Sequence, residues 1–323
     1  MDIILMGTQK SGKTSIRKVV FEKMSPNKSI FNQSTSKIET IQIEIVRNCK
    51  LSITEFPHNI LSIEQISTIE KNYLKNCGTL IYVFDFQDNS NTPFDYFIQN
   101  IIPLVKNHSI TVSIFIHKTD TELNLSNKEF EKKINEIKLK FNQLIKSFDF
   151  NYYITSIYDY SLFEKFSRIF RRTVPQLTNI SNLVEDLKEN CNFDKCYLFN
   201  VYYKIYIGVD YFPLGEEFFT IGVDVTQDRL FGLCSSIIDV SLEMGEIFNG
   251  ENNQDSNINN DSDFMIKIDK FYEVNNKNML YLRFIDSNLA LIFLIKEKNY
   301  KPHLLNYNIQ LFIKSVQKLL LKK

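Results

Sequence analysis

The sequence predicts two domains in series: an α/β domain with a mainly parallel sheet, then an α+β domain whose helices cover an antiparallel sheet. Three observations lead there. At 323 residues, 44% of them apolar, the chain exceeds one typical domain and can bury a large core. Up to about Thr173, short β-rich runs alternate with helical patterns, as parallel sheets require. Beyond Val174-Pro175-Gln176-Leu177-Thr178, which follows a basic helix end, strand patterns gather with fewer helices between them. The domains are therefore expected at 1–174 and 180–323.

In the first half, strands are expected at Ile3–Met6, Ile41–Val46, Leu51–Glu55, Leu80–Asp85, Val112–His117 and Tyr152–Thr155. Ser126 to Glu129 reads as a capping box, and Phe130, Ile134, Ile137, Phe141, Leu144 and Phe148 follow at helical spacing as a core stripe. In the second half, Asn182–Glu189 reads as a short helix, Cys196–Ile207 as a strand and Phe231–Phe248 as a longer helix. Met265–Tyr272, Met279–Phe284 and Leu289–Ile295 read as strands. A closing helix carries Leu305, Ile309, Phe312, Ile313, Val316 and Leu320 on one face, more often a core face than a partner surface. Asn249–Asp263, rich in Asn, Asp and Ser, reads as a mobile loop.

Composition excludes several classes. Lys plus Arg and Asp plus Glu are both 38, so the long-range basic field of a nonspecific nucleic-acid binder is missing. The five cysteines are scattered and never form a CxxC pair, which argues against a disulfide framework or a zinc site and fits a reducing cytosol. His58, His108, His117 and His303 are too dispersed for a metal cluster, and no nucleophile–base pattern is visible. Met1 leads directly into Ile3-Ile4-Leu5-Met6 without a secretory signal, and no apolar run approaches the roughly 20 residues of a membrane-spanning helix. Asp2 in place of Gly, and the ending Leu321-Lys322-Lys323, match no common lipid anchor, so membrane residence is expected only through a partner.

The residues that carry chemistry begin at Gly7-Thr8-Gln9-Lys10-Ser11-Gly12-Lys13-Thr14, a GxxxxGK[ST] motif between an apolar strand and an amphipathic helix. Its glycines let backbone N–H groups face phosphate oxygens, Lys13 adds charge at the β and γ oxygens, and Thr14 can ligate magnesium. Phosphate-cradling residues are thus expected at Gly7 and from Gln9 through Ser15. His117-Lys118-Thr119-Asp120 ends a predicted inner strand, where ligands bind in open α/β sheets. There Asp120 can accept both N–H donors of a guanine edge, which adenine lacks. Thr155-Ser156, ending the last predicted strand, can offer hydroxyl and backbone donors to the guanine oxygen. An ATPase or kinase would share the phosphate loop but would have to ignore Asp120.

These motifs resemble the Rag GTPases, and within them the RagC/RagD class, the Gtr family of fungi. The likeness lies in Lys18-Val19-Val20-Phe21-Glu22-Lys23-Met24-Ser25-Pro26-Asn27, in the His of His117-Lys118-Thr119-Asp120, and in Thr155-Ser156-Ile157-Tyr158-Asp159. More faintly, Lys204-Ile205-Tyr206-Ile207 and Ile238-Asp239-Val240 look like that family's roadblock/longin-type dimerisation domain. The resemblance implies a P-loop small-GTPase domain followed by that domain, binding GTP or GDP with Mg2+. It makes Ser34-Thr35-Ser36-Lys37-Ile38 switch I, with Thr14, Thr35 and Glu55 around the metal and Ser156 and Ile157 beside the base. It further implies pairing with a RagA/RagB-like subunit through the C-terminal domain, a Ragulator-like lipidated scaffold, and signalling to the target-of-rapamycin complex. The chain would be cytoplasmic and held on the lysosome or vacuole membrane by partners.

Switch II departs from the family's Asp-x-Pro-Gly-Gln pattern, reading Glu55-Phe56-Pro57-His58-Asn59. Glu55 carries one extra methylene, His58 brings a Cβ where glycine would offer an unhindered N–H to the γ-phosphate, and Asn59 is shorter than a water-orienting Gln. Two readings follow: a very slow GTPase using Glu55, His58 and Asn59, or a nucleotide-bound scaffold subunit that does not hydrolyse.

Overall fold

The apolar runs of the first half form strands β1 (Asp2–Gly7), β2 (Glu39–Val46), β3 (Cys49–Glu55), β4 (Cys77–Asp85), β5 (Thr111–His117) and β6 (Asn151–Thr155). The computed structural model describes residues 2–31, 35–58, 73–106, 108–120, 126–144, 150–209, 231–241, 264–268, 278–286 and 288–321. The six strands lie in the order β2-β3-β1-β4-β5-β6. β1 is parallel to both β3 and β4, β4 to β5, and β5 to β6. Helices on both faces of a parallel sheet bury its inner strands, which is why β1, β4 and β5 are near-continuous apolar runs.

The helices of this half are α1 (Lys13–Phe21), α2 (Thr92–Tyr96, a π-helical Phe97–Ile101, then Ile102–Val105), α3 (Asn127–Leu144) and α4 (Ser161–Thr173). α3 begins in the expected capping box: Ser126 N–H and Oγ both donate to Glu129 Oε2, at 3.0 and 2.7 Å, and Glu129 N–H returns to Ser126 Oγ. Its stripe is core, with Phe130, Ile134, Ile137 and Phe141 all buried. Phe141 meets Phe94, Phe97, Phe84 and Tyr82 at ring separations of 4.8 to 6.0 Å. Phe148 lies outside the described residues. The sequence reading passed over α2, although Phe94, Phe97, Ile101, Leu104 and Val105 line one buried face.

The second half contributes α5 (Pro175–Cys191), a helix α6 at 231–241 and α7 (Pro302–Leu321). Its strands are β7 (Lys195–Asn200), β8 (Ile205–Val209), β9 (Phe264–Ile268), β10 (Asn278–Phe284) and β11 (Leu289–Lys296). They form an antiparallel sheet in the order β8-β7-β11-β10-β9, with α5 packed on α7 and β8. Two expectations are corrected. The helix expected over Asn182–Glu189 begins earlier, because Pro175 stands at the first helical position, where its missing N–H costs nothing, and α5 runs from there to Cys191. The single strand expected over Cys196–Ile207 is a hairpin: Asn200 Oδ1 accepts from Tyr203 N–H at 2.7 Å and Lys204 takes φ 54°. The Asn249–Asp263 segment, the end of the helix expected to Phe248 and the end of the strand expected to Tyr272 lie outside the described residues.

The chain folds as two compact units, Met1–Glu44 with Cys49–Lys165, and Ile45–Asn48 with Phe166–Lys323. None of the five cysteines is in a disulfide. Among the described residues no helix is long and apolar enough to cross a membrane.

Candidate nucleotide site

Gly7 to Thr14, Glu55 to His58, His117 to Asp120 and Thr155-Ser156-Ile157 sit at or just past the C-terminal ends of β1, β3, β5 and β6, on the edge of the sheet where open α/β folds bind ligands. Together they line a cavity of about 500 Å³, a size typical of small-molecule sites.

The phosphate end follows β1. The chain turns back over the strand through Gly7 at φ 152°, Lys10 at φ 60° and Gly12 at φ 105°. α1 then starts with no side-chain cap, so the first N–H groups of the helix are left for an anion. A Cβ on Gly7 would stand 2.5 Å from Val83 O, and one on Gly12 would stand 2.6 Å from His117 Cδ2. The Lys13 ammonium donates to Gly7 O at 3.0 Å and Thr8 O at 2.7 Å, which stretches it along the loop. Burial lowers its pKa to about 8, with the Glu55 charge opposing, so it remains a cation at neutral pH. Gln9, Lys10, Gly12, Lys13, Thr14 and Ser15 line the cavity as expected. Gly7 and Ser11 do not line it; Ser11 is fully buried, its Oγ turned towards Gly7.

The base end follows β5 and β6. His117, Lys118, Asp120 and Ile157 reach the cavity. Lys118, at φ 63°, donates to Lys10 O at 2.8 Å and pairs with Asp85 at the end of β4. Thr119 Oγ1 donates to Thr155 O at 3.2 Å, and Ser156 Oγ donates to Asp120 Oδ1 at 3.0 Å. Ser156 therefore differs from its expected role. Its N–H donates to Ser161 Oγ at 3.0 Å and its hydroxyl serves Asp120, so it braces the carboxylate and offers no donor to a base.

His117 is 1% exposed, its Nδ1 3.0 Å from Thr155 Oγ1. Burial, then the Lys118 charge, lower its pKa from 6.5 to about 3, with the Thr155 hydrogen bond opposing. Between those values the unfolded chain binds a proton that the folded chain refuses, so stability present above pH 6.5 is lost as the pH falls towards 3. His117→Asn is expected to reduce the loss between pH 7 and 5 by about 2 kcal/mol, measured as denaturant midpoints at the two pH values.

The metal end joins three elements. Thr14 Oγ1 and Thr35 Oγ1 lie 2.7 Å apart, and both donate to Glu55 Oε1, Thr35 at 2.8 Å. The other carboxylate oxygen accepts from Arg17 Nε at 2.9 Å. Burial works against the Arg17 charge, but the hydrogen bond to Glu55 and the charges of Glu55, Glu22 and Glu39 outweigh it and raise the pKa. Among the described residues no group of three His, Cys, Asp or Glu can hold a metal. The donor set instead suits a hard cation: two hydroxyls and one carboxylate oxygen converge, leaving the remaining positions for phosphate oxygens and water, as Mg2+ prefers. The extra methylene of Glu55 does not carry it away from Thr14 and Thr35.

Pro57 and His58 close this end of the cavity. Burial, then the nearby Lys13 charge, lower the His58 pKa, favouring a neutral imidazole. Asn59 lies outside the described residues. Sequence reasoning missed Ser29, Ile30, Gln87 and Tyr158 in the cavity wall and Asp85 behind Lys118. Ile30 and Tyr158 are large side chains 72% and 51% exposed at the cavity mouth; Tyr158 lies in the Thr155–Asp159 stretch that carries the resemblance, whereas nothing in the sequence around Ile30 sets it apart from an ordinary loop residue.

A family model for the Gtr1/RagA G protein conserved region matches residues 2–238. The chain is 32% identical to GTP-binding protein gtr2 of Schizosaccharomyces pombe, over 98% of the chain and 96% of that protein. It is 31% identical to human Ras-related GTP-binding protein C, over 97% of the chain and 75% of that protein. Against Ras-related GTP-binding protein A of Dictyostelium discoideum the match is 24%, over 61% of the chain and 65% of that protein.

Proposed function

The chain belongs to the Gtr1/RagA family of G proteins, and from that premise we propose that it is the RagC/RagD-class subunit of a heterodimeric guanine-nucleotide switch. One observation carries the guanine reading: a braced carboxylate, Asp120, shares a single cavity with an anion cradle built on α1. The class rests on the relatives, since similarity to C-type and gtr2 proteins runs the length of the chain while similarity to an A-type protein covers 61% of it.

In this reading the N–H groups opening α1 and the Lys13 ammonium bind the phosphates, and Asp120 selects the base. Thr14, Thr35 and Glu55 would hold Mg2+, which neutralises charge on the β and γ oxygens. Residues 1–174 form the nucleotide domain, and 180–323 a roadblock/longin-like domain that pairs with a RagA/RagB-like subunit. A Ragulator-like scaffold then holds the pair on the lysosome or vacuole, and its surfaces report amino-acid supply to the target-of-rapamycin complex.

Hydrolysis is slow. His58 brings a Cβ and a restricted φ to the place of a glycine whose unhindered N–H would reach the third phosphate, and a neutral imidazole there adds no positive charge to stabilise the transferring group. Single-turnover GTP cleavage by the purified heterodimer, with the bound nucleotide released and identified, tests the proposal. Retained GDP or GTP with slow but measurable cleavage is expected. Retained nucleotide with no cleavage favours the scaffold reading, and bound adenine nucleotide rejects the assignment.

A further inference from the structure

Behind the metal end lies an ion-pair network that the nucleotide reading does not itself require. Arg17 stands on α1 three residues beyond Thr14, so the two side chains share a helix face. Its side chain is 4% exposed and every arm of its fork meets a carboxylate: Nε meets Glu55, and the two terminal nitrogens meet Glu22 and Glu39. Glu55 is fully buried, whereas Glu22 and Glu39 are 38% and 47% exposed, so only the Glu55 contact is sealed from water.

We propose that Arg17 is the positioning residue of the metal site, fixing the Glu55 carboxylate against Thr14 and Thr35 and tying the head of β2 to it through Glu39. A glutamate has one more rotatable bond than an aspartate, so its carboxylate needs a second anchor to present one chosen oxygen. Arg17 holds Oε2, and Oε1 is thereby turned to the two hydroxyls. Glu39 opens β2 four residues after Thr35, so the same guanidinium restrains the far end of the span that carries Thr35. A lysine could neutralise Glu55, but only a planar fork can engage three carboxylates in fixed directions. The competing account is that Arg17 merely neutralises a buried charge, in which case it supports the fold and leaves metal binding alone.

This proposal rests on the nucleotide reading of the pocket, and its test separates the two. The full chain, in complex with its partner subunit, is loaded with a fluorescent GDP, and the release rate is followed as free Mg2+ is titrated. Arg17→Gln is expected to raise the Mg2+ needed to slow release by at least about tenfold, the usual effect of losing a residue that orients a metal ligand. Release in excess EDTA should match wild type. Arg17→Lys should recover part of the shift. Glu39→Gln, at a half-exposed position that folding tolerates, should shift the titration in the same direction by a smaller factor. Wild-type Mg2+ dependence in Arg17→Gln and Glu39→Gln overturns the proposal. If Arg17→Gln does not fold, wild-type behaviour of Glu39→Gln overturns it alone. Failure of the wild-type chain to retain GDP sinks the pocket reading and this proposal with it.

Discussion

Asp120→Asn is expected to weaken GDP by at least about 100-fold and to admit xanthosine diphosphate, because a site built to pair polar groups rejects a ligand that leaves them unpaired. The Asp120 carboxylate is acceptor-only, and although Ser156 Oγ donates to Oδ1 at 3.0 Å, each oxygen has a second lone pair for a base N–H. An asparagine amide presents one acceptor and one donor. Its NH2 would then face the guanine 2-amino group, donor against donor, whereas xanthine offers a carbonyl there. Lys118 and Thr119 are held by Asp85, Lys10 and Thr155, so the loop cannot slide to offer a different acceptor. Competition binding with guanosine, xanthosine and adenosine diphosphates measures the exchange, and an unchanged guanine preference removes Asp120 from base selection.

The second large effect is at Gly12. Its φ of 105° strains any residue with a Cβ, and that Cβ would lie 2.6 Å from His117 Cδ2 and 3.0 Å from Nε2. The imidazole is buried and anchored on Thr155 at 3.0 Å, so it cannot swing aside. Backbone strain and overpacking together put the cost of Gly12→Ala at about 2–4 kcal/mol, and the displaced loop should lose its nucleotide. Denaturant midpoints and the bound-nucleotide content of the purified chain give both readings. Adding His117→Ala relieves the clash but not the strain, so stability should recover in part. Full recovery would mean that the backbone at residue 12 carries no strain.

The parts of the fold and site that were legible in the sequence are those whose physics is local. Gly7 to Thr14 and His117 to Asp120 are contiguous, and each residue type is dictated by what its own few atoms must do. The inner strands were legible because burial on both faces leaves unbroken apolar runs. What escaped depends on partners far along the chain. Arg17 meets Glu55 across 38 residues and Glu39 across 22, and on its own it reads as one more polar position of an amphipathic helix. Lys118 and Asp85 are 33 residues apart. Ser156 looked like a base ligand because its commitments to Ser161 and Asp120 exist only once the loop has folded. The start of α5 was hidden for a different reason: a proline can follow one helix or open the next, and sequence alone does not say on which side of Pro175 the helix lies.

The His117 imidazole fills the space that a Cβ on Gly12 would take, so the two ends of the cavity are packed closely together. Lys118, reaching back to Lys10 O, is a second strut between them. A displacement of the anion loop is therefore expected to reach the loop that carries Asp120 through these two packed struts. Amide hydrogens of Lys10, Gly12 and Lys118 should therefore gain protection from exchange together when either end of the cavity is engaged.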